Sequence, residues 1–318
     1  MPICIARRHA GFFLLAGLVC GCAAPQSRQL AQTPPAGLPQ NIELADVPFF
    51  PQEAYLCGPA ALATVLNAAG FPVQPDVLIS QVYVPERHGS LQVEMLAAAR
   101  RSGAAAFELT PELAALLKEI AAGNPVLVLQ NLAFNWYPKW HYAVAVGYDI
   151  PRSEIILRSG LEKRQVLPMT TFEHTWARSG RWAMLALPPG KLSATADKSV
   201  VLAAAVTLEK AENKSTAQQV YAAVLEKSPT DLVALMGMGN TAYAQKDLPQ
   251  AEIFFRRAIA YHPDSGDAWN NLAQTLADQG RYHEAQYAVK KAVPLGGANL
   301  DLYQKTLLEI EHALLKVR

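Results

Sequence analysis

The most informative segment in the first half of the chain is Val47-Pro48-Phe49-Phe50-Pro51-Gln52-Glu53-Ala54-Tyr55-Leu56-Cys57-Gly58-Pro59-Ala60-Ala61-Leu62. Gly58 and Pro59 predict that a helix begins directly after Cys57, because proline is favoured in a first helical turn. A thiol at this end of a helix faces the positive end of the helix dipole, which lowers its pKa. Cys57 is therefore predicted to be a nucleophile. Gln52 could join the Cys57 backbone N–H in holding an oxyanion.

A cysteine nucleophile needs a base from another element, and His141 is the main candidate. It lies near the start of the run 140–149, whose alternation predicts a strand with His141, Ala143 and Ala145 on one face. The small side chains on this face predict that the helix after Cys57 packs there. Sulfur and imidazole would then be close enough to meet.

Two further histidines in this half are His88, in a turn-like segment, and His174, in a predicted helix. We interpret both as solvated polar residues rather than catalytic ones. No cysteine or histidine pair has the spacing of a zinc site, so the sequence predicts neither a metal centre nor a cofactor.

Helices precede strands along the first half of the chain. Three apolar helical segments, each followed by a glycine, are predicted near 59–69, 90–102 and 110–122. Short extended runs follow, with a helix near 171–177 before the last of them, at 125–130, 141–148, 154–157, 162–167 and 181–187. This order predicts an α+β fold with an antiparallel sheet.

The motifs of this half resemble the bacteriocin-leader-processing, or double-glycine, cysteine peptidases, which have a papain-like fold. The resemblance covers about residues 44–190. It rests on Gln52 with Cys57-Gly58-Pro59-Ala60-Ala61-Leu62, on Gly123-Asn124-Pro125-Val126, and on His141-Tyr142-Ala143-Val144 with Gly147-Tyr148-Asp149. It implies that Cys57 attacks a peptide carbonyl, that His141 transfers the proton and that Gln52 helps to hold the oxyanion.

The sequence departs from that family at the residue that orients the imidazole. Members usually carry Asp or Asn on the strand after the histidine, whereas this stretch reads Ile155-Ile156-Leu157-Arg158-Ser159-Gly160. If the two strands form a hairpin, either Ser159 or Glu162 could reach His141, depending on the register. Losing the usual residue is expected to weaken the orientation of the base more than it abolishes attack.

The second half of the chain repeats with a period of 34 residues. Ala251, Phe255, Ala258 and Pro263 have the spacing of a tetratricopeptide repeat, and similar residues recur one period earlier and later. After a linker at 191–197, we predict a repeat domain over 198–318, with a closing helix from Leu300 to Leu315 and repeats at about 198–231, 232–265 and 266–299. Small residues let the paired helices approach, and such a stack binds a peptide or protein on its concave face.

The first residues of the chain have the pattern of an export signal. Arg7 and Arg8 precede an apolar run at 11–19 that is too short to span a bilayer. Val19-Cys20-Gly21-Cys22 resembles a bacterial lipobox, which predicts removal of a signal peptide at 1–21 and acylation of Cys22. An ordinary cleaved signal with incidental cysteines is the alternative.

The segment after the lipobox, 22–43, is rich in proline and predicts an extended tether before a peptidase-like domain at 44–190. Removal of Cys4 and Cys20 and acylation of Cys22 would leave Cys57 as the only free thiol, so no intrachain disulfide is expected. Ala23 after the acylated cysteine resembles lipoproteins that are passed to the outer membrane. The expected location is therefore the outer membrane, facing the periplasm, with the acyl chains making the anchor stable.

The composition excludes some functions and leaves others open. The chain has 318 residues and a formal net charge of only +1, which gives no field for gathering phosphates, so we expect no nucleic-acid binding. The sequence favours a lipid-anchored cysteine peptidase whose repeats recruit a substrate or a protein partner. Two alternatives stay open: a catalytically silent peptide-binding scaffold, and a cell-wall acyl hydrolase or transferase using the same residue pair.

Overall fold

The computed structural model describes residues 24–52, 55–211 and 213–316. The helices of its first half are α1 (Pro25–Gln32), α2 (Cys57–Ala68), α3 (Pro75–Val82), α4 (Gln92–Arg101), α5 (Leu113–Ala121) and α6 (Met169–Ala177). The strands are β1 (Asn41–Glu43), β2 (Tyr83–Val84), β3 (Gly89–Ser90), β4 (Ala105–Glu108), β5 (Val126–Asn131), β6 (Trp140–Asp149), β7 (Glu154–Ser159), β8 (Glu162–Pro168) and β9 (Ala183–Leu187).

An antiparallel sheet forms the centre of the first half. Within the described part of the chain it has seven strands in the order β4-β9-β5-β6-β7-β8, with β1 paired to the end of β6. The strands β2 and β3 form a separate hairpin. All six residues of β5 are buried, as expected for a central strand covered on both faces. The predicted α+β fold with an antiparallel sheet is confirmed.

Helices cover both faces of the sheet. The face that carries Ala143 and Ala145 packs against α5 and α6. Helix α2 packs on the opposite face, against the larger side chains Tyr142, Val144 and Val146. The prediction that the helix after Cys57 packs on the Ala143 side is therefore wrong. Helix α2 itself supplies small buried side chains for close approach, Ala60, Ala61 and Ala63.

The segment Pro25–Gln32 differs from the extended tether expected from its composition. It forms α1, whose Gln26 and Ser27 backbone N–H groups donate to the carboxylate of Glu173 in α6, at 3.1 and 2.7 Å. Glu173 is buried and also accepts a hydrogen bond from Ser27 Oγ at 2.6 Å. This carboxylate caps the start of α1 from a distant part of the chain, which local composition does not reveal. The signal and the lipidation site lie outside the described residues.

Helices in consecutive pairs make up the second half. They are α7 (Lys198–Lys210), α8 (Lys214–Lys227), α9 (Leu232–Ala244), α10 (Leu248–Tyr261), α11 (Gly266–Asp278), α12 (Tyr282–Ala292) and α13 (Leu300–Lys316). A Cβ atom on Gly237 or Gly239 of α9 would collide with the ring of Tyr221 or Phe255. Small residues thus let the helices approach closely enough for the aromatic rings to fill the gaps. Of the helices in the described part, none is long and apolar enough to cross a membrane.

One hydrophobic cluster joins the two halves of the chain. Helix α7 contacts the edge strand β4, and the core that contains Leu187 of β9 also contains Leu202 of α7. The linker 191–197 is also hydrogen-bonded to the first half of the chain. The buried carboxylate of Glu119 accepts hydrogen bonds from Ser193 Oγ at 2.5 Å and from Thr195 N and Oγ1 at 2.9 and 2.6 Å. The segment 191–197 is therefore attached to the first half along its length.

Candidate active site

Cys57 is the first residue of α2, and its thiol is partly buried. The backbone N–H groups of Tyr142, Gly58 and Cys57 itself make hydrogen bonds that favour the thiolate. Burial nevertheless raises the pKa of the Cys57 thiol, because the loss of solvent outweighs these hydrogen bonds. The prediction that the pKa falls is therefore wrong, and at neutral pH the substrate-free thiol keeps its proton.

Gly58 allows α2 to begin directly below the β2–β3 hairpin. A Cβ atom at this position would collide with the side chain of Ser90 in β3. Ser90 is also tied to β6, since its carbonyl oxygen accepts a hydrogen bond from the Tyr142 hydroxyl at 3.1 Å. The hairpin, the start of α2 and the start of β6 therefore meet around Cys57.

His141 is the second residue of β6, and its Nε2 atom lies 2.9 Å from Ser159 Oγ. In the pairing of β6 with β7, Val144 is opposite Arg158, so Ser159 is a diagonal neighbour of His141 on the same face of the sheet. Glu162 lies beyond Ser159, on the exposed strand β8. Of the two alternatives, the structure thus brings Ser159 to the imidazole. A neutral hydroxyl therefore stands next to the imidazole, in place of the Asp or Asn that the double-glycine peptidases usually carry.

The environment of His141 favours the neutral imidazole. Burial, together with the nearby charge of Lys139, lowers the pKa of His141 to about 4. The hydroxyl of Ser159 carries no charge that would stabilise the imidazolium. At neutral pH the ring is therefore unprotonated and able to accept a proton.

This shifted pKa predicts a loss of stability in mild acid. In the unfolded chain His141 takes up a proton near its ordinary pKa of 6.5, whereas in the folded protein it does so only near 4. The stability that the neutral ring contributes is full above pH 6.5 and is lost as the pH falls toward 4. We expect His141 to lower the free energy of unfolding by about 3 kcal/mol between pH 7 and pH 4. Denaturant titrations across this range should show the drop, and the His141→Asn variant should lack that part of it. Equal slopes for the two proteins would contradict the prediction.

Gln52 is held by the turn that follows Ser159. Its backbone N–H donates to the carbonyl oxygen of Gly160 at 2.9 Å, and its Oε1 accepts from the Gly160 N–H at 3.2 Å. Among the described residues, Nε2 of Gln52 has no hydrogen-bond acceptor, although the side chain is only 8% exposed. This amide N–H₂ group is therefore oriented by its own oxygen and available to a bound molecule.

Cys57, His141 and Gln52 line one open cavity of about 960 Å³. The three residues come from separate segments, and the cavity is where the fold brings them together. With Ser159 beside His141, the cavity offers a thiol, a neutral imidazole with a hydroxyl next to it, and a free amide N–H donor. These are the parts that acyl transfer requires.

Residues at the rim of the cavity were not identified as site residues from the sequence. His88 is exposed, lines the cavity and lies 5.2 Å from the ring of Tyr55. His174, interpreted as solvated, is half-buried in α6. The backbone of His88 is in the left-handed region before Gly89, as in a turn. The neighbouring sequence does not indicate that this turn lies near Cys57. Within the described ranges, no group of three or more His, Cys, Asp or Glu side chains could hold a metal ion.

Similarity to known proteins was sought among curated sequences and among solved structures. A search of curated proteins gives no match. A solved chain from Bacillus anthracis, described as a C39-like peptidase, is 20% identical, covers 48% of this chain and 98% of its own, and has a TM-score of 0.40. A double glycine motif protease from an AMS/PCAT transporter, solved in complex with the leader peptide, is 23% identical, with coverage of 45% and 93% and a TM-score of 0.35.

Family models match both halves directly. The Peptidase_C39 like family matches residues 44–184, and tetratricopeptide repeat models match residues 202–261 and 254–287. The resemblance drawn from the motifs around Cys57 and His141, and from the 34-residue period, is confirmed at this level. The chain therefore carries a peptidase C39-like domain followed by tetratricopeptide repeats.

Proposed function

We propose that this protein is a cysteine peptidase that cleaves a peptide or protein substrate through an acyl-enzyme on Cys57. One observation carries the proposal. Cys57, His141 and Gln52 come from three separate segments of the chain and line one cavity, in which Nε2 of Gln52 is free to donate. A cavity of about 960 Å³ has room for several residues of a peptide.

The reaction begins from two neutral groups. As the Cys57 sulfur attacks the carbonyl carbon, His141 accepts the thiol proton, so the ion pair forms only when substrate is present. The carbonyl oxygen becomes an oxyanion, held by the Cys57 backbone N–H and by Nε2 of Gln52. His141 then donates its proton to the leaving amine, the C–N bond breaks, and a thioester remains on Cys57. Water, deprotonated by His141, hydrolyses the thioester and restores the thiol.

We propose further that acyl chains on Cys22 anchor the protein in the cell envelope, at the outer membrane and facing the periplasm. The support is the signal pattern, with Arg7 and Arg8 before a short apolar run and a lipobox-like end. Only Ala23 separates Cys22 from the described structure, in which Pro25–Gln32 is packed on the domain. The globular part would then lie close to the membrane surface rather than at the end of a long tether.

The repeats are proposed to recruit a protein substrate or a protein partner. The support is the family match of residues 202–287 to tetratricopeptide repeats, whose concave faces bind peptides and proteins. Because α7 packs on β4, a molecule bound to the repeats would be held at a fixed position relative to Cys57.

A peptidyl acyloxymethyl ketone tests the proposed chemistry without knowledge of the natural substrate. This reagent alkylates a cysteine that has an active base and a peptide-binding cleft. We expect mass spectrometry to show its adduct on Cys57 at pH 7, and a much slower reaction in the His141→Gln variant. Iodoacetamide in denaturant should modify both proteins equally, which controls for the presence of the thiol.

One observation favours a second candidate, a peptide-binding protein that does not cleave. Ser159 stands next to the imidazole in place of the Asp or Asn usual in the double-glycine peptidases, and burial raises the pKa of the Cys57 thiol. This candidate predicts equal, slow reaction of the ketone with the unchanged chain and the His141→Gln variant. Peptides would then still bind in the cavity, which equilibrium binding of a labelled peptide pool would detect.

A further inference from the structure

A cluster of exposed aromatic side chains lies beside the active-site cavity. The connection from β5 to β6, together with the first residue of β6, is called the aromatic loop (residues 132–140), and its exposed large side chains are Leu132, Phe134, Trp136, Tyr137 and Trp140. Trp136 is 82% exposed, and its ring stacks on that of Phe134 at 5.5 Å. A contiguous apolar patch of this kind marks a contact with another apolar surface.

The aromatic loop is held in this exposed arrangement by its own hydrogen bonds. Asn131 Oδ1 accepts from the backbone N–H groups of Ala133 and Lys139, at 3.0 and 2.9 Å. Arg178, which follows α6, donates from Nη1 to the carbonyl oxygen of Ala133 at 2.8 Å. These bonds fix the backbone of the loop, so the rings do not fold back onto the domain.

Helix α6, which Arg178 follows, also contacts α1, the helix that leads back to the N-terminus. Glu173 of α6 binds the first turn of α1, and the loop contact at Arg178 is about 8 Å further along the helix axis. Ala24 is two residues from Cys22, which is at most about 7 Å of extended chain. Acyl chains on Cys22 would therefore enter a membrane within reach of α6 and of the aromatic loop.

We propose that the aromatic loop docks on the surface of a lipid bilayer, an inference that rests on the proposed lipid anchor. Its composition suits this partner, because tryptophan and tyrosine favour the interface while leucine and phenylalanine enter the acyl region. Lys139 and Arg178, both exposed at the base of the loop, meet anionic headgroups. Trp140 also lines the cavity with Cys57, so docking turns the cavity toward the membrane. The substrate class is then a peptide segment that lies at the membrane surface.

Quenching of tryptophan fluorescence by brominated lipid tests the docking. The experiment uses the full chain with Cys57→Ala, so that its result does not depend on peptidase activity. The vesicles contain phosphatidylethanolamine and phosphatidylglycerol with dibrominated acyl chains. We expect the protein to float with the vesicles and its fluorescence to be quenched. Trp136→Phe should remove the larger share of the quenching, and the matched variant Trp269→Phe, in α11, should retain it.

A second variant keeps both reporter tryptophans of the loop. Phe134→Ser combined with Tyr137→Ser should reduce the quenching by more than half. Flotation without quenching would assign membrane contact to the acyl chains alone and overturn the proposal, as would a failure to float. Quenching that is unchanged in Trp136→Phe would also overturn it.

The outcome is separate from that of the peptidase proposal. If the loop variants leave quenching unchanged but lower cleavage in a chain with intact Cys57, the loop contacts substrate rather than lipid, and the docking proposal fails. If quenching behaves as expected while no chain cleaves peptides, the peptidase proposal fails and the docking stands.

Discussion

We expect that replacing Cys57 by alanine abolishes peptide cleavage and that replacing His141 by alanine lowers kcat/KM by about 10²–10⁴. The first change removes the only nucleophile at the start of α2. The second leaves a thiol whose pKa is raised by burial and which has no neighbouring base to take its proton. Digestion of a defined peptide pool, followed by mass spectrometry of the new termini, measures both effects.

Replacing residues that only position Cys57 and His141 should lower kcat/KM less. The neutral hydrogen bond between Ser159 and His141 is worth about 1 kcal/mol, so Ser159→Ala should lower kcat/KM about fivefold. Glu162→Ala, on the exposed strand β8, should have no effect. His88→Ala is the matched control for His141→Ala, because His88 lies on the rim of the same cavity. Full cleavage by the Cys57→Ala variant would show that another group performs the reaction.

The second large effect concerns stability and the linker. Glu119→Ala should lower the free energy of unfolding by about 3 kcal/mol, because it leaves the buried donor of Asn124 and the half-buried donors of Ser193 and Thr195 without an acceptor. The linker 191–197 should also become accessible to proteases under native conditions. Denaturant titration measures the first effect, and timed proteolysis with mass analysis measures the second.

Glu112 provides the control for this prediction. It is an exposed glutamate at the start of the same helix, α5, and its replacement by alanine should change stability only slightly and leave the linker protected. Glu119→Gln keeps one acceptor oxygen and should fall between the two. If Glu119→Ala left proteolysis of 191–197 unchanged, other contacts would be holding the linker.

Much of this fold follows from local sequence patterns. Gly58 and Pro59 indicated the start of α2, and the alternation after His141 indicated β6. The 34-residue period indicated helices whose close approach is now explained by Gly237 and Gly239. Each of these signals lies within one element or one repeat, where residue type and backbone geometry are directly related.

The features that the sequence did not predict depend on distant contacts. Helix α1 forms in a proline-containing segment because Glu173, far along the chain, caps its first turn. The packing face of α2 was assigned wrongly because small residues occur on both the helix and the strand. The direction of the Cys57 pKa shift was missed because a helix dipole is visible in the sequence, whereas the burial that outweighs it is not.

The fixed attachment of the repeats to the sheet has a consequence for how a cleavage site would be chosen. With 191–197 bound to Glu119 and α7 packed on β4, the span between the repeats and Cys57 has one length. An extended peptide advances about 3.3 Å per residue. A substrate bound to the repeats would therefore place at the Cys57 thiol a peptide bond that lies a fixed number of residues from the bound segment. The fixed distance would thus set the position of cleavage. Inserting residues into the substrate between the bound segment and the cleaved bond would shift the cleavage site rather than prevent cleavage.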